Sequence, residues 1–449
     1  MRGLENYIEK RLNYGSSYDV VKREISENVV LYYLSSLVDL TMINQIIEGK
    51  SLKRDSILNG SITLETDYEK MITSVFSGCL LLIENDSCYI VETRNYPNRG
   101  ISESESEKSL KGSHDGFTES ILTNTALIRR RIKDEKFRCE IFQVGKSSKT
   151  DITINYLDGK VNQSLLIKIK RKLKSIDVNS LVLADKAVSE LIFSQRYQIF
   201  PKVRFTERPD IASIHILKGY IVILVDTSSS CIIVPTTFFE LNEQLEEYQL
   251  PSLISTFNRI FRFFCVVIGL FLLPLWFMIC IDGKGAPNNS FLIIEGLNKN
   301  QLFIQIISVQ IFLSAIRLAS YNTTSLLSTS MSLLATIILS NLAVETGLLS
   351  SEVVFYGALS SICTFAISNY ETSRAITFWN FIMIISVGFF NKIGFIISST
   401  FMFISMVTIH NFDVCYLYPF IPFDFKALID RVFKFPAISK NKEKNKKNI

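Results

Sequence analysis

One uninterrupted apolar segment, FFCVVIGLFLLPLWFMICI at 263–281, most constrains what this chain can fold into. It contains no charged residue and is long enough to cross the hydrocarbon core of a bilayer as a helix. The chain before Phe257 has instead the mixed charge and short alternating patterns of a soluble α/β region. The sequence therefore predicts a soluble α/β N-terminal region of two subdomains, followed by an α-helical multipass membrane domain.

Weaker apolar stretches follow the first span, at 302–318, 331–343, 353–368, 375–390 and 393–409. Asn391 and Lys392 interrupt the last two, which predicts a tight helical hairpin at that point. Arginines before the first span and a basic tail place both chain ends in the cytoplasm by the positive-inside rule, which requires an even number of spans. Six spans satisfy these signs, and four stay open if 302–318 and one partner only dip into the bilayer.

Two strand–turn–strand patterns, at 79–94 and 220–239, organise the soluble region. The segment 29–49 carries apolar residues at helical spacing, and a Ser-, Glu- and Gly-rich stretch near 95–120 has the composition of a linker. Residue similarity between the two halves is too slight to indicate an internal repeat. The predicted divisions are a first subdomain at 1–100, a linker at 101–119, a second subdomain at 120–256, a transmembrane domain at 257–412 and a basic cytoplasmic tail at 413–449.

Several classes of function find no support in the sequence. The eight cysteines and three histidines are scattered, with no C-x-x-C, so no cofactor or metal site is predicted. No G-x-S-x-G, P-loop or H-E-x-x-H motif is present, so an enzyme is not expected. The lysines of the tail (434, 440, 442, 444, 446 and 447) lack interleaved aromatic residues, which argues against nucleic acid and favours contact with anionic membrane lipid.

The basic segment DGFTESILTNTALIRRRIKD (115–134) lies far from the predicted spans. It predicts a helix over 119–133, with acidic and hydroxyl residues at its positive N-terminal end and arginines at its negative C-terminal end. One interpretation is an amphipathic helix with well-placed charges. The other is a docking surface, in which at least one arginine binds a carboxylate such as Glu207 or Asp210, or a partner subunit. This second interpretation defines a candidate assembly surface of Arg129, Arg130, Arg131, Glu207, Arg208 and Asp210.

Hydroxyl residues recur every four positions in SLLSTSMSLLATIILSN, so one face of a helix there is lightly polar. Packing between helices explains such a face. The alternative is a water-lined pathway in an oligomer, capped by a ring of Glu345 carboxylates. The candidate ion path consists of Ser328, Ser332, Thr336, Ser340, Asn341 and Glu345. A second stripe of small residues, Gly357, Ser361, Thr364 and Ser368, is interpreted as packing.

Five sequence blocks, in a fixed order between residues 20 and 436, resemble the A subunit of the GerA-type spore germinant receptors. They are KGSHDGF with NTALIRRR (111–117 and 124–131), TERPD (206–210), IVPTTF (233–238), AVETGL (343–348) and the YLYP segment at 416–419. The chain departs from the family pattern at Ser113, where proline is usual, at His114, and at Ser368. It also lacks the family's glutamates in 296–325, where it has Gln310 and no acid, so the role of those carboxylates is not carried over.

The resemblance implies a multipass signalling subunit in the spore inner membrane with both termini in the cytoplasm. It would assemble with a transporter-like B subunit and a lipoprotein C subunit, and with further copies of itself. Nutrient bound by the partner would then gate ion release by conformational coupling. A non-conducting scaffold that clusters receptor complexes and a secondary transporter remain open as alternatives.

Overall fold

The structure is a computed structural model, which describes residues 2–26, 28–47, 62–84, 87–96, 113–181, 183–193, 198–244, 246–282, 298–322, 343–412 and 414–434. The chain divides into two compact units. The soluble unit comprises Met1–Tyr197, Lys202–Thr236 and Asn411–Asp413. The helical unit comprises Gln198–Pro201, Thr237–His410 and Val414–Ile449.

The first half of the soluble unit is an antiparallel sheet with helices packed on it. Its strand order is β1-β2-β4-β5-β3, and its core includes Leu34, Val75 and Leu81. The elements are α1 (Arg2–Leu12), β1 (Val20–Ser26), β2 (Val29–Leu34), α2 (Leu40–Ile47), β3 (Ile62–Leu64), α3 (Tyr68–Phe76), β4 (Leu80–Glu84) and β5 (Ser87–Val91).

The hairpin predicted at 79–94 is confirmed by the pairing of β4 with β5. The helical interpretation of 29–49 is wrong for its first part, because VVLYYL forms β2 and only Leu40–Ile47 is helical. β2 lies between β1 and β4 and is buried along nearly its whole length. A strand buried on both faces has a continuous apolar run, which spacing alone cannot distinguish from a buried helix.

The second half of the soluble unit repeats this topology. Its strand order, β6-β7-β9-β10-β8, matches that of the first sheet position by position. The two halves therefore repeat in fold, which their low residue similarity did not reveal. The elements are α4 (Ile121–Arg129), β6 (Phe137–Val144), β7 (Thr150–Leu157), α5 (Gln163–Lys174), α6 (Ala184–Phe193), β8 (Arg204–Thr206), α7 (Pro209–Leu217), β9 (Ile221–Val225) and β10 (Cys231–Val234).

Helix α4 is shorter than the helix predicted at 119–133. Ser120 is its N-cap, and the Ser120 hydroxyl accepts a hydrogen bond from the backbone of Thr123 at 3.5 Å. The backbone carbonyl of Glu119 accepts from Thr227, and the Asp226 carboxylate accepts from the backbone N–H of Ile121. The turn between β9 and β10 thus holds the chain just before the helix in a non-helical path, and the helix begins after it.

The helical unit contains most of the apolar sequence. Three helices of the described residues, α10, α11 and α13, are long and apolar enough to cross a membrane. The predicted fold class, a soluble α/β region followed by a helical membrane domain, is confirmed. The elements are α8 (Phe238–Leu241), α9 (Glu246–Gln249), α10 (Ser252–Asp282), α11 (Lys299–Asn322), α12 (Ser351–Phe365), α13 (Tyr370–Val407), β11 (His410–Asn411), β12 (Val414–Cys415) and α14 (Phe425–Val432).

Helix α13 folds back on itself, as the polar pair at 391–392 predicts. Asn391 has φ 52° and ψ −132°, which no helix can contain. The rings of Trp379 and Phe401 lie 5.8 Å apart between centroids, although a straight helix would separate them by about 33 Å. The hairpin prediction is therefore confirmed, with a first arm at 370–390 and a second arm at 392–407.

Contacts between the helices fix their directions. Phe277 stacks with Phe303, and Trp276 packs on Tyr356, so α10 runs antiparallel to both α11 and α12. Helices α11 and α12 are consequently parallel to each other. The predicted span at 331–343, which comes between α11 and α12 in the sequence, lies almost wholly outside the described residues.

Candidate functional site

Arg129, from the basic segment, lies in the interior of the soluble unit. Its Nε and Nη2 donate to the two carboxylate oxygens of Asp19 at 2.8 and 3.0 Å, and neither side chain has any exposed surface. The guanidinium also lies 4.5 Å from the ring centroid of Phe137 and 5.5 Å from that of Phe76. Burial alone would lower the pKa of Arg129, but the charge and hydrogen bonds of Asp19, together with Cys139 and Tyr18, outweigh it, so this pKa is raised.

This ion pair joins the two halves of the soluble unit. Asp19 precedes β1 of the first sheet, whereas Arg129 ends α4, which packs on the second. The Tyr18 hydroxyl donates to Thr125 at 2.7 Å, and the backbone N–H of Tyr18 donates to the carbonyl of Cys139 at 3.0 Å. Burial raises the pKa of the Cys139 thiol. We call the set of contacts that Asp19 and Tyr18 make with Thr125, Arg129 and Cys139 the subdomain junction.

Arg131 and Arg208 bind the same short segment from two sides. Arg131 donates to the Asp115 carboxylate at 2.6 Å and to the Ser113 hydroxyl at 2.9 Å. Arg208 donates to the backbone carbonyl of Ser113 at 2.6 Å and to Asp210 at 2.9 Å. Ser113 stands where the resembled family usually has proline, and its hydroxyl accepts a hydrogen bond from Arg131. Arg131 also donates to a carbonyl of the last turn of α4, as expected for a cation at a helix C-terminus.

The six residues of the candidate assembly surface do not form one exposed patch. Arg129 is buried in the subdomain junction, and its carboxylate partner is Asp19, which the sequence did not suggest. Asp210 pairs with its neighbour Arg208. The backbone carbonyl of Glu207 accepts from Phe117, which holds the 113–117 segment. Arg130 is the exposed member of the three arginines and stacks on Tyr96 at 5.2 Å.

A polar contact in the interior of the helical unit compensates a proline in the first span. Pro274 lies inside α10 and has no N–H to donate to the carbonyl of Leu270, four residues earlier. The side-chain amide of Asn380 donates to that carbonyl at 3.0 Å and to the carbonyl of Gly269 at 2.9 Å. Gln310 in turn donates to the amide oxygen of Asn380 at 3.4 Å. These polar groups are therefore satisfied within the bundle, as an apolar solvent requires.

Arg317 is a buried cation in the same unit. It donates to the hydroxyl of Thr377 at 2.9 Å and to the carbonyl of Ser361 at 3.2 Å, and it also bonds the Thr364 hydroxyl. Its guanidinium lies 4.1 Å from the ring centroid of Phe365. The small-residue stripe interpreted as packing thus also supplies two hydroxyls to this arginine, those of Ser361 at 3.3 Å and Thr364.

A cluster of charges surrounds the first turns of α10. Glu247 binds Arg259 at 2.6 Å and Arg262 at 2.5 Å, and all three side chains are largely buried. Arg259 also donates to the backbone carbonyl of Arg431, whose side chain pairs with Glu240. The arginines before the first span are therefore neutralised by carboxylates, and the cluster connects α10 to α14.

Most of the candidate ion path lies outside the described residues, namely Ser328, Ser332, Thr336, Ser340 and Asn341. Glu345 is described and is exposed; it ends the helical residues 343–345, and a turn leads from it to α12. Gly347 follows in this turn with φ 71°. Exposure of its carboxylate is what a residue at the mouth of a path requires, although the path itself is not described.

Sequence reasoning did not identify Asp19, Asn380 or Arg317. The signal for Asn380 was present, because a proline within a span leaves a carbonyl that needs a donor from elsewhere. The signal for Arg317 was its charge within the predicted span at 302–318, because a charged side chain in a span needs partners inside the bundle. Asp19 carried no local signal.

The sequence model of the Bacillus/Clostridium GerA spore germination protein family matches residues 6–446. The chain belongs to this family. Among individual GerA relatives, it is 36% identical over 446 residues to Stage V sporulation protein AF of Bacillus subtilis, covering 94% of this chain and 90% of that protein.

Further relatives are named as germination proteins. Spore germination protein KA of Bacillus subtilis is 26% identical, over 96% of this chain and 84% of its own length. Spore germination protein A1 of the same organism is 24% identical, over 95% and 92%. The solved N-terminal domain of the A subunit of the Bacillus megaterium spore germinant receptor GerK3 matches at 26% identity and a TM-score of 0.40, covering 52% of this chain and 94% of that one.

Two of the blocks that carry the GerA resemblance, the first block and TERPD, contact each other in the structure. The 113–117 part of the first block contacts Arg208 of the TERPD block through the carbonyl of Ser113. The NTALIRRR block forms α4 and the subdomain junction. Contacts within the soluble unit therefore hold these two separated blocks together.

Proposed function

We propose that this protein is a subunit of a nutrient germinant receptor in the spore inner membrane, which helps to trigger germination. Membership of the germination family over residues 6–446 carries the proposal. The chain would assemble with B and C receptor subunits and with further copies of itself. When the partner subunit binds nutrient, the oligomer changes conformation and releases ions.

The directions of the described helices support the proposed ion path. Helices α11 and α12 are parallel, so the C-terminal end of α11 and the N-terminal start of α12 lie at opposite ends of the bundle. The candidate residues, from Ser328 to Glu345, stand between these two ends in the sequence. Glu345 is exposed just before the turn that leads to α12, where its carboxylate would attract cations to the path.

The proposed topology has both termini in the cytoplasm and six spans. The first turns of α10 and the C-terminal helix α14 are in direct contact, through Arg259 and the carbonyl of Arg431 at 2.8 Å. This contact supports an even number of crossings between them. The five divisions predicted from the sequence, with a linker at 101–119 and a tail at 413–449, remain part of this proposal.

A second candidate function comes from the relative named Stage V sporulation protein AF. Its identity of 36% exceeds the 26% of spore germination protein KA. On this alternative, the protein acts while the spore forms, and its loss alters spore formation before any nutrient is sensed.

Spores that lack the gene distinguish these two functions. Their calcium dipicolinate content is measured first, and its release on mixing with a panel of nutrients is measured next, with a non-nutrient trigger as control. Normal content with loss of one nutrient response, restored by complementation, supports the receptor. Reduced content supports the sporulation function. Normal content with every nutrient response intact contradicts both.

The ion path is tested by replacing Ser332, Thr336 and Ser340 with leucine. The matched control replaces Ser399, Thr400 and Ser405, whose hydroxyls bond carbonyls of their own helix. We expect the first variant to assemble but to lose nutrient-triggered ion release, and the control to retain it. Unchanged release in the first variant would favour a non-conducting scaffold.

A further inference from the structure

An apolar cavity of about 660 Å³ opens within the helical unit. It lies between the first half of α10, the second arm of α13 and the segment that leads into α14. Its volume is in the range of about 300–1,000 Å³ that is usual for small-molecule sites. Every lining side chain is apolar, and they include Phe263, Val267, Met406, Phe420 and Leu428. A ligand of this cavity must therefore be hydrocarbon in character.

The length of the cavity along α10 matches one leaflet of a bilayer. The lining residues of α10 extend from Ile260 to Phe271. At 1.5 Å per residue this is about 16 Å, or about half of a hydrocarbon core of about 30 Å. The cavity therefore runs to the depth that one acyl chain of one leaflet reaches.

The C-terminal helix closes the end of the cavity nearest the start of α10. Leu428 and Val432 of α14 line the cavity. Phe423 and Phe425 are exposed beside it, and so is the cation Lys426. Exposed aromatic residues together with cations are typical of a helix that lies in the headgroup region of a membrane.

We propose that this cavity holds one acyl chain of an anionic phospholipid, taken from the leaflet at the N-terminal end of α10. In a bilayer the molecules that surround an open apolar cavity are lipids, and an empty cavity forfeits dispersion contacts along its walls. The negative headgroup of the same lipid is held by the exposed cation Lys426. The bound class is thus a phospholipid with a negative headgroup, such as phosphatidylglycerol.

The test uses the full chain, reconstituted in bilayers of equal phosphatidylglycerol and phosphatidylcholine and then released in mild detergent. Native mass spectrometry counts the lipids that each chain retains. Val267→Phe fills the cavity from a residue that is 54% exposed, so the larger ring can be accommodated without disturbing the core. Met406→Phe fills it from the opposite wall. Ile397→Phe, at a residue that is 60% exposed and does not line the cavity, is the matched control.

We expect the wild type and Ile397→Phe to retain one phosphatidylglycerol per chain. In each cavity variant that is monodisperse, the fraction of chains with bound lipid should fall at least tenfold. Retention of no lipid by the wild type overturns the proposal, as does equal retention of the two lipid classes. Unchanged retention in the cavity variants overturns it too. If the wild type forms dimers without lipid and Val267→Phe separates them, the cavity is instead an interface between two copies of the chain.

Discussion

Asn380 donates its side-chain amide to the backbone carbonyl of Leu270 at 3.0 Å. Pro274 removes the helical N–H that would otherwise bind this carbonyl. Two features that look unfavourable in a membrane helix, a proline in one span and an asparagine in another, therefore satisfy each other. Each should be tolerated only because the other is present.

The first prediction concerns this pair. Asn380→Leu leaves the Leu270 carbonyl without a donor in an apolar interior, which should lower the free energy of unfolding by about 1–3 kcal/mol. Pro274→Ala restores a helical N–H, so the same asparagine substitution should cost less in that background. Thermal unfolding of the purified chain measures both effects in a double-mutant cycle.

Thr400→Leu is the control for this cycle, because the Thr400 hydroxyl is exposed and bonds only a carbonyl of its own helix among the described contacts. We expect a change within about 0.5 kcal/mol for it. An equal cost of Asn380→Leu with and without Pro274 would show that the two residues are not coupled.

The second prediction concerns the subdomain junction. Asp19→Asn leaves the Arg129 charge buried and uncompensated, which should cost about 3–5 kcal/mol. Since 1.4 kcal/mol is a factor of ten, opening of the junction should become about 100-fold or more frequent. Maleimide labelling of Cys139, whose thiol is fully buried beside the junction, followed by peptide mass spectrometry, measures this opening.

Asp115→Asn is the matched control for the junction. Its partner Arg131 belongs to the same basic segment, but both side chains are about one-fifth exposed. Solvent screens this pair, so its loss should cost about 0–1 kcal/mol and change the labelling of Cys139 by less than about tenfold. Similar labelling rates in the two variants would remove the special role of Arg129.

The sequence was informative where a local pattern determines a structure. Asn391 and Lys392 interrupt an apolar run, and a chain that must keep polar residues out of hydrocarbon turns back there. The β-hairpins at 79–94 and 220–239 follow in the same way from alternation around polar turns. The strand at 29–34 shows the limit, because its burial on both faces hides the period of two.

The site depends on pairings that no local pattern encodes. Arg129 and Asp19 lie 110 residues apart in the sequence, and so do Asn380 and Leu270. Consecutive arginines in a helix point in different directions, which predicts that they have different partners. It does not predict which partner each one finds, because that depends on how two sheets of the same topology pack together.

The third prediction concerns the contact between α14 and the start of α10. The Glu240 carboxylate caps α8 by accepting a hydrogen bond from the backbone N–H of Thr237 at 3.1 Å. The same carboxylate also pairs with Arg431. Glutamine serves equally at this position of a capping box, so Glu240→Gln removes the ion pair and keeps the cap. We expect α14 to detach more often, and trypsin to cleave faster after Lys426 and Arg431.

Asp430→Asn changes the acid next to Arg431 by the same amount and is exposed, so it is the control for proteolysis. Its cleavage rate should equal that of the wild type. Cleavage of Glu240→Gln at the wild-type rate would mean that the apolar contacts of α14 hold it without the ion pair.

The fourth prediction concerns Arg317. Its planar guanidinium reaches Thr377 on one helix and Ser361 on another, while it stacks on the ring of Phe365. Lysine keeps the charge but presents it at one point, so Arg317→Lys should lose at least one of these hydrogen bonds. The expected cost is about 2 kcal/mol, because hydrogen bonds to charged groups contribute about 1.5–3 kcal/mol.

Arg374→Lys is the control, since Arg374 stacks on Tyr370 at the more exposed start of α13. Thermal unfolding should show a lower Tm for Arg317→Lys than for Arg374→Lys, and an equal Tm would mean that charge alone, without the fork of the guanidinium, holds these three helices together.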